Sequence, residues 1–132
     1  MPGTFRVSLV TPERSVVETE ASYAELPAHD GQLGVQHNRA AMLIKLGVGK
    51  LRLDLAEGGV QRFVLDGGFA QMRDNKLTLL CERAYGGADI GREEAQQRLT
   101  QAQSLPMGSR DEVEKRRHDL AVAQALVDVA GG

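Results

Sequence analysis

Turn-forming residues divide this chain into two parts. Up to about residue 85, glycine, proline and aspartate recur every few residues and separate short runs in which apolar and polar side chains alternate. Short strands spaced in this way are typical of a β-sandwich or barrel. Beyond Asp89, turn residues nearly vanish, and alanine, glutamine, glutamate and arginine dominate. We therefore predict a β domain over residues 1–85 and a helical hairpin over residues 86–132, with the boundary at Gly86-Gly87.

Alternation within the first part predicts eight short strands. They cover residues 5–10, 15–20, 23–26, 42–46, 50–55, 60–65, 69–73 and 76–80. Pro27 is predicted to end the third of these strands. Asp30-Gly31 is predicted to form a turn, because glycine accepts positive φ and aspartate can bond its own backbone. For the same reason Gly67-Gly68 is predicted to be a turn between two strands.

Two helices are predicted in the second part. Asp89 is a candidate cap for the first, along which Ala95, Leu99 and Ala102 share one face. Residues 105–108, which include proline and glycine, end this helix. A connection this short predicts that the two helices pack as an antiparallel hairpin.

The second helix has a stronger start signal. Ser109 followed by Glu112 forms a capping-box pattern, and Asp111–Lys115 and Glu112–Arg116 are spaced for ion pairs on one helix face. The seam between the helices is rich in alanine and buries little apolar area. We therefore expect the hairpin to lean on the β domain or on a partner, and to be mobile.

Composition excludes several classes of function. The net charge is −2 and there is no tryptophan, so neither electrostatics nor base stacking favours nucleic acid as a partner. No run approaches the 18 or so apolar residues of a membrane span, and no signal peptide is visible, so direct membrane insertion is not expected. The single cysteine allows no internal disulfide.

No pattern of catalytic or ligand-binding residues stands out. His29, Asp30 and His37 could ligate a metal, but their spacing matches no established zinc pattern. There is no argument for a Ser-His-Asp or Cys-His arrangement, and no phosphate-binding glycine loop. Cys81 ends an apolar run and is interpreted as a small buried residue. The sequence therefore predicts no catalytic residue, nucleotide site, metal site or cofactor.

Four segments, in their order and spacing, carry a family resemblance. Residues 25–35 read ELPAHDGQLGV, residues 46–52 LGVGKLR, residues 66–71 DGGFAQ and residues 75–80 NKLTLL. With these segments the chain resembles the epsilon subunit of the bacterial rotary, F-type ATP synthase. The resemblance covers almost the whole chain and is sharpest over residues 5–89.

The resemblance implies a fold and a role. The fold is an N-terminal antiparallel β-sandwich followed by a C-terminal two-helix antiparallel hairpin. The role is that of a non-catalytic rotor subunit, which links the central-stalk gamma subunit to the membrane c-ring during proton-driven ATP synthesis. The implied location is the cytoplasmic face of the bacterial inner membrane, where the subunit is peripheral.

The same resemblance implies two contact sites. Asp30, Gly31 and Gln32 match a loop that touches the c-ring in the family. A basic group on the second helix is expected to meet acidic segments of the alpha and beta catalytic subunits and so inhibit ATP hydrolysis; its members are Arg110, Lys115, Arg116 and Arg117. Composition alone favours a different interpretation of this group, a solvated helix face with internal ion pairs.

The chain departs from the family pattern at three places. An acidic residue is common in the family where this chain has Gln32, and a family histidine is replaced by Arg39. In the ATP-binding motif of some members, an aspartate and an arginine are replaced here by Gly91 and Glu94. A phosphate site that loses its cation and gains a carboxylate should be weak, so we expect no ATP binding.

Two other classes of function stay open at the level of sequence. The first is a free-standing β-sandwich binding module that dimerises through the face of Ala95, Leu99 and Ala102. The second is a small enzyme, which would require a pocket with shifted ionisable groups.

Overall fold

A computed structural model describes residues 3–130 of the chain. Six strands are followed by a short 3-10 turn, Gly87–Asp89, and two α-helices. The strands are β1 (Phe5–Val10), β2 (Ser15–Ala28), β3 (Gly31–Val35), β4 (Met42–Leu55), β5 (Val60–Arg73) and β6 (Lys76–Gly86), and the helices are α1 (Arg92–Gln103) and α2 (Arg110–Val129).

The strands form one sheet that folds back on itself. Their order is β1-β6-β5-β4-β2-β3, and β1 also pairs with β2, so the sheet closes around its interior. Every pairing is antiparallel except β1 with β6, which is parallel. This arrangement of a closed sheet followed by two helices confirms the predicted fold class.

The strands are longer and fewer than predicted. Residues 15–20 and 23–26 belong to the single strand β2, which continues through Pro27 and ends at Ala28. The prediction that Pro27 ends a strand was therefore wrong. Residues 42–46 and 50–55 likewise belong to one strand, β4. A Cβ added at Gly49 would lie 2.7 Å from Cβ of Pro27, so this glycine lets β4 and β2 approach each other.

Gly67-Gly68 forms a kink inside β5, and the predicted turn was wrong. Both glycines have positive φ, 73° and 123°, yet β5 continues from Val60 to Arg73. Before the kink, Phe63 and Leu65 point into the core; after it, Ala70 and Met72 do so. The inward side chains thus change from odd to even positions, and residues on either side of the kink exchange faces.

Strand β4 shows the same change of phase, from odd to even inward positions, at the same level of the sheet. In β4, Leu51 and Leu53 are in the core on one side of Gly47, and Ile44 and Leu46 on the other. The pairing between β4 and β5 keeps one register throughout, since Val48 pairs with Asp66 and Leu46 with Gly68. The two strands therefore bend together, with Gly47 opposite Gly67.

The core lies inside the closed sheet. Every strand supplies at least one of the core's largest fully buried side chains, which include Phe5, Leu9, Leu26, Val35, Leu51, Leu53, Leu65, Met72, Leu77 and Leu79. Cys81 joins this core at 3% exposure, which confirms the interpretation that it is buried, although it lies inside β6 and not at its end. Burial raises the pKa of the Cys81 thiol to about 12.

Of the two predicted helix caps, the structure has one. Helix α1 begins at Arg92 after Gly91, and Asp89 lies in the preceding 3-10 turn, so the predicted cap at Asp89 was wrong. Helix α2 begins after Ser109, whose Oγ accepts a hydrogen bond from the backbone N–H of Glu112 at 3.2 Å, as predicted.

The ion pairs on α2 differ from those predicted. Nζ of Lys115 donates to Oδ2 of Asp119 at 2.8 Å, and not to Asp111. Arg116 extends away from Glu112 and donates from Nη2 to the carbonyl oxygen of Gln103 at 3.4 Å, which ties α2 to the end of α1.

The kink provides a matched pair of substitutions. A Cβ at Gly68 would overlap the carbonyl oxygen of Leu80, whereas one at Gly67 would meet nothing within 4 Å. We expect Gly67→Ala to lower the free energy of unfolding by roughly 1–2 kcal/mol through backbone strain. Gly68→Ala should lower it by at least about 1–3 kcal/mol more, because β6 must move. Urea denaturation measures both; equal losses would contradict the close approach at Gly68.

Candidate functional site

The outer face of strands β4, β5 and β6 is divided at the glycine kink. On one side, which we call the covered half, Val48, Val64 and Tyr85 lie under the helices. On the other side, which we call the open half, large apolar side chains face solvent. The two halves are the most distinctive feature of the described surface, and each has its own contacts.

The covered half holds the hairpin by a small apolar cluster. Val64 of β5 is fully buried and packs with Ala95 of α1 and with four residues of α2, namely Val122, Ala125, Leu126 and Val129. Val48, Tyr85 and Ile90 complete its edge. The expectation that the hairpin leans on the β domain agrees with this packing, in which α2 supplies most of the contact.

Polar contacts surround this cluster. Nε2 of His118 lies 2.8 Å from Oδ1 of Asp66, and Nζ of Lys50 lies 3.3 Å from Oδ2 of Asp128. The guanidinium of Arg98 on α1 stacks 5.2 Å above the ring of Tyr85. Each contact joins the hairpin to the sheet. The hydrogen bond to Asp66 raises the pKa of His118. A second hydrogen bond of the ring, to Asp119 on α2, raises it further.

A cleft of about 380 Å³ lies between the hairpin and the sheet. Its charged lining residues are Asp66, Arg83, Arg98, Lys115, His118 and Asp119. The residues that depart from the family's ATP motif lie near the start of α1, where Gly91 and Glu94 are exposed to solvent. Neither residue lines this cleft.

The open half consists of three exposed apolar side chains. Leu43, Phe69 and Leu80 are 72%, 51% and 56% exposed. Phe69 pairs across the sheet with Leu80 of β6 and with Lys45 of β4, two residues from Leu43. The sequence does not predict this patch, because a run such as residues 42–46 has apolar side chains at nearly every position. The phase change at the kink was the missing information.

The residues predicted to contact the c-ring, Asp30, Gly31 and Gln32, lie together on an exposed turn, which we call the base turn. Asp30 belongs to the turn between β2 and β3, while Gly31 and Gln32 begin β3. Gly31 has φ of 134°, so the predicted turn at Asp30-Gly31 is confirmed. This turn and residues 43–45 line one shallow cleft, so the base turn adjoins the open half. Across residues 3–130, no group of three or more His, Cys, Asp or Glu side chains is placed to hold a metal ion.

The four basic residues of the hairpin are not equivalent. Arg110 is exposed at the start of α2, and Arg117 is exposed beside Glu114 at 3.7 Å. Lys115 is engaged with Asp119, as described above. Arg116 is turned toward α1, and its buried Nε has no hydrogen-bond partner within the part of the chain that the structure describes.

Comparison with known proteins identifies the family. Residues 4–87 match the family model described as "ATP synthase, Delta/Epsilon chain, beta-sandwich domain". The ATP synthase epsilon chain of Rhodopirellula baltica is 38% identical over 122 residues, which are 92% of this chain and 93% of that protein. The epsilon chain of Desulfitobacterium hafniense (strain Y51) is 31% identical over 98% of this chain and 96% of its own length.

The chain belongs to the ATP synthase epsilon-chain family. Membership confirms the identity that the sequence predicts, a non-catalytic rotor subunit of a membrane-associated ATP synthase. The burial of Ala95 and Ala102 within the chain removes the support for a free-standing module that dimerises through α1. Neither described helix is long and apolar enough to cross a membrane.

Solved structures show the same fold in distant ATP synthases. A chain of the Euglena gracilis mitochondrial ATP synthase, in a structure of OSCP, F1 and the c-ring, aligns with a TM-score of 0.83 at 17% identity, over 96% of this chain and 81% of its own length. A chain from the central stalk and c-ring of the Tetrahymena thermophila mitochondrial enzyme aligns with a TM-score of 0.65 at 14% identity, over 93% of both chains.

The apolar cluster predicts that the hairpin can leave the sandwich while the sheet stays folded. Leu126 is fully buried on Val64, so Leu126→Ala should weaken hairpin docking by about 2–5 kcal/mol. Since about 1.4 kcal/mol is tenfold, α2 amides should exchange hydrogen at least about 30 times faster, while core amides of β1 and β6 keep their rates. Leu99→Ala on α1, which removes a half-buried side chain, is the matched control and should have a smaller effect. Equal loss of protection in sheet and helices would show one cooperative unit.

Proposed function

We propose that this epsilon chain binds the gamma subunit through the open half and the c-ring through the base turn, so that stalk and ring rotate together. The observation that carries the proposal is the cluster of Leu43, Phe69 and Leu80 in solvent, on a sheet whose other large apolar side chains are mostly buried. Exposed apolar clusters on small domains mark protein interfaces. Membership in the epsilon-chain family supplies the partners, and the central stalk and c-ring named for the Tetrahymena neighbour support them.

The base turn is the candidate contact with the c-ring. Asp30, Gly31 and Gln32 project from one end of the sandwich, and the cleft that they share with residues 43–45 makes them continuous with the open half. A subunit that binds gamma with one surface and the ring with the adjoining one can transmit torque between them. Placing the turn on the c-ring puts the protein at the cytoplasmic face of the bacterial inner membrane.

The hairpin is the candidate regulator of ATP hydrolysis. Its attachment to the sandwich is a small cluster around Val64 with a few polar contacts, so a docked and a released form can differ by only about a few kcal/mol. When released, α2 would carry its exposed Arg110 and Arg117, with Lys115 and Arg116, toward the alpha and beta catalytic subunits. Contact with these subunits would block hydrolysis. The hairpin would have no part in coupling gamma to the ring, which is the role of the sandwich.

A charge in the open half tests the gamma interface. Phe69→Asp should weaken binding of the chain to its own organism's gamma subunit at least about tenfold, because an aspartate cannot be buried in an apolar contact without cost. Val60→Asp is the matched control, since Val60 is 42% exposed on the same strand but outside the patch. Size-exclusion chromatography with light scattering detects the complex. Equal binding by both variants would place the gamma interface elsewhere.

Removal of the hairpin tests the regulatory role. A chain that ends at Gly87 should assemble into the synthase and keep proton-coupled synthesis, while ATP hydrolysis increases several-fold. The full-length variant Arg110→Glu/Arg117→Glu should raise hydrolysis in the same direction, because repulsion replaces attraction at the catalytic ring. Arg73→Glu is the control, since the side chain of Arg73 on the sandwich is 70% exposed, close to the 74% of Arg117. Hydrolysis unchanged by truncation would contradict inhibition by the hairpin.

A further inference from the structure

Both ring nitrogens of His118 face carboxylates at the contact between hairpin and sheet. Nε2 lies 2.8 Å from Oδ1 of Asp66 on β5, and Nδ1 lies 3.0 Å from Oδ1 of Asp119 on α2. A neutral imidazole carries one N–H and can donate only one of these two hydrogen bonds. The imidazolium donates both, so the observed geometry fits the charged ring.

The two carboxylates have different roles. Asp119 belongs to the same helix as His118 and also binds Lys115 at 2.8 Å, so it moves with the hairpin. Asp66 belongs to the sheet, where its side chain is 16% exposed. The hydrogen bond between His118 and Asp66 therefore exists only when the hairpin is docked, and a partly buried carboxylate strengthens it.

Other charged groups surround this contact on every packed element. Arg83 on β6, Arg98 on α1 and Lys115 on α2 line the same cleft, and Tyr85 on β6 lies under Arg98. The ion pair of Lys50 on β4 with Asp128 on α2 is a separate charged contact between the sheet and the hairpin. A histidine side chain ordinarily titrates within the window of pH 5.5 to 8, and His118 is the histidine at this contact.

We propose that His118 is a pH-dependent latch: when protonated it ties the hairpin to Asp66 of the sandwich, and as the pH rises it loses its proton and releases that tie. The apolar cluster at Val64 provides the pH-independent part of the stability of docking, and the latch adds a part that depends on pH. It goes beyond the rotor role, because it is a property of the isolated chain.

The direction of the pH dependence follows from linkage. The hydrogen bonds to Asp66 and then to Asp119 raise the pKa of His118 above its ordinary value of 6.5. Asp119 stays beside His118 when the hairpin is released, so the bond to Asp66 is what makes the docked form bind the proton more tightly than the released form. The stabilisation is fully present below pH 6.5 and is lost as the pH rises through the raised pKa. Asp119 does not oppose this, because Lys115 and then His118 lower its pKa, and it stays ionised throughout the window.

Fluorescence energy transfer in the isolated chain tests the latch. Dyes are attached at Glu57→Cys on the sandwich and Ala121→Cys on α2, both exposed, in a Cys81→Ala background. From pH 5.5 to pH 8 the equilibrium constant for docking should fall about tenfold for each unit by which docking raises the pKa of His118. His118→Gln and Asp66→Asn should abolish most of this dependence, whereas His29→Gln, a change at an exposed histidine outside the cleft, should keep it.

Nuclear magnetic resonance keeps the test decisive if the variants prove unstable. The chemical shift of the Cε1 proton of His118 should report a titration midpoint above pH 6.5 in the unsubstituted chain. In Asp66→Asn the midpoint should lie closer to pH 6.5. An unchanged pH dependence in His118→Gln, or identical titration of His118 with and without Asp66, would overturn the proposal. Either result would leave the binding of gamma and the c-ring untouched, since neither partner is present.

Discussion

The phase change at the glycine kink is the constraint on which the rest of the structure depends. Because β4 and β5 bend together where Gly47 lies opposite Gly67, outward positions on one side of the kink become inward positions on the other. On one side this exposes Val64 and Asp66 to the hairpin. On the other it leaves Phe69 in solvent. A single sheet can therefore hold its own C-terminal helices and still present an apolar surface to a second protein.

The docked hairpin combines one apolar cluster with contacts that depend on charge. Leu126 and its neighbours bury apolar area on Val64, but the alanine-rich seam limits how much. His118 and Lys50 add directional contacts at two separate points of the sheet. A small cluster with adjustable polar ties suits an element that has to leave its docking site. If the hairpin inhibits hydrolysis in its released form, loss of the His118 proton at higher pH would favour inhibition.

Much of the fold could be predicted from local signals, and the functional surface could not. The cap at Ser109, the turn at Asp30-Gly31 and the burial of Cys81 depend on neighbouring residues or on simple alternation, and they were found. Gly67-Gly68 has the sequence of a turn, but pairing with β4 and β6 keeps the chain extended through it. The open half depends on a change of phase that β4 and β5 make at one level, and the contact of His118 with Asp66 spans 52 positions in the sequence. Neither leaves a local pattern.

The most direct test is hydroxyl-radical footprinting of this chain, free and within the assembled ATP synthase of its own organism. Phe69 and Leu80 in the open half, and His29 beside the base turn, should be labelled in the free chain and protected in the synthase. Val60, which lies outside both surfaces, should be labelled equally in the two states. Equal labelling of Phe69 and Leu80 in both states would contradict the assignment of this face to a rotor partner.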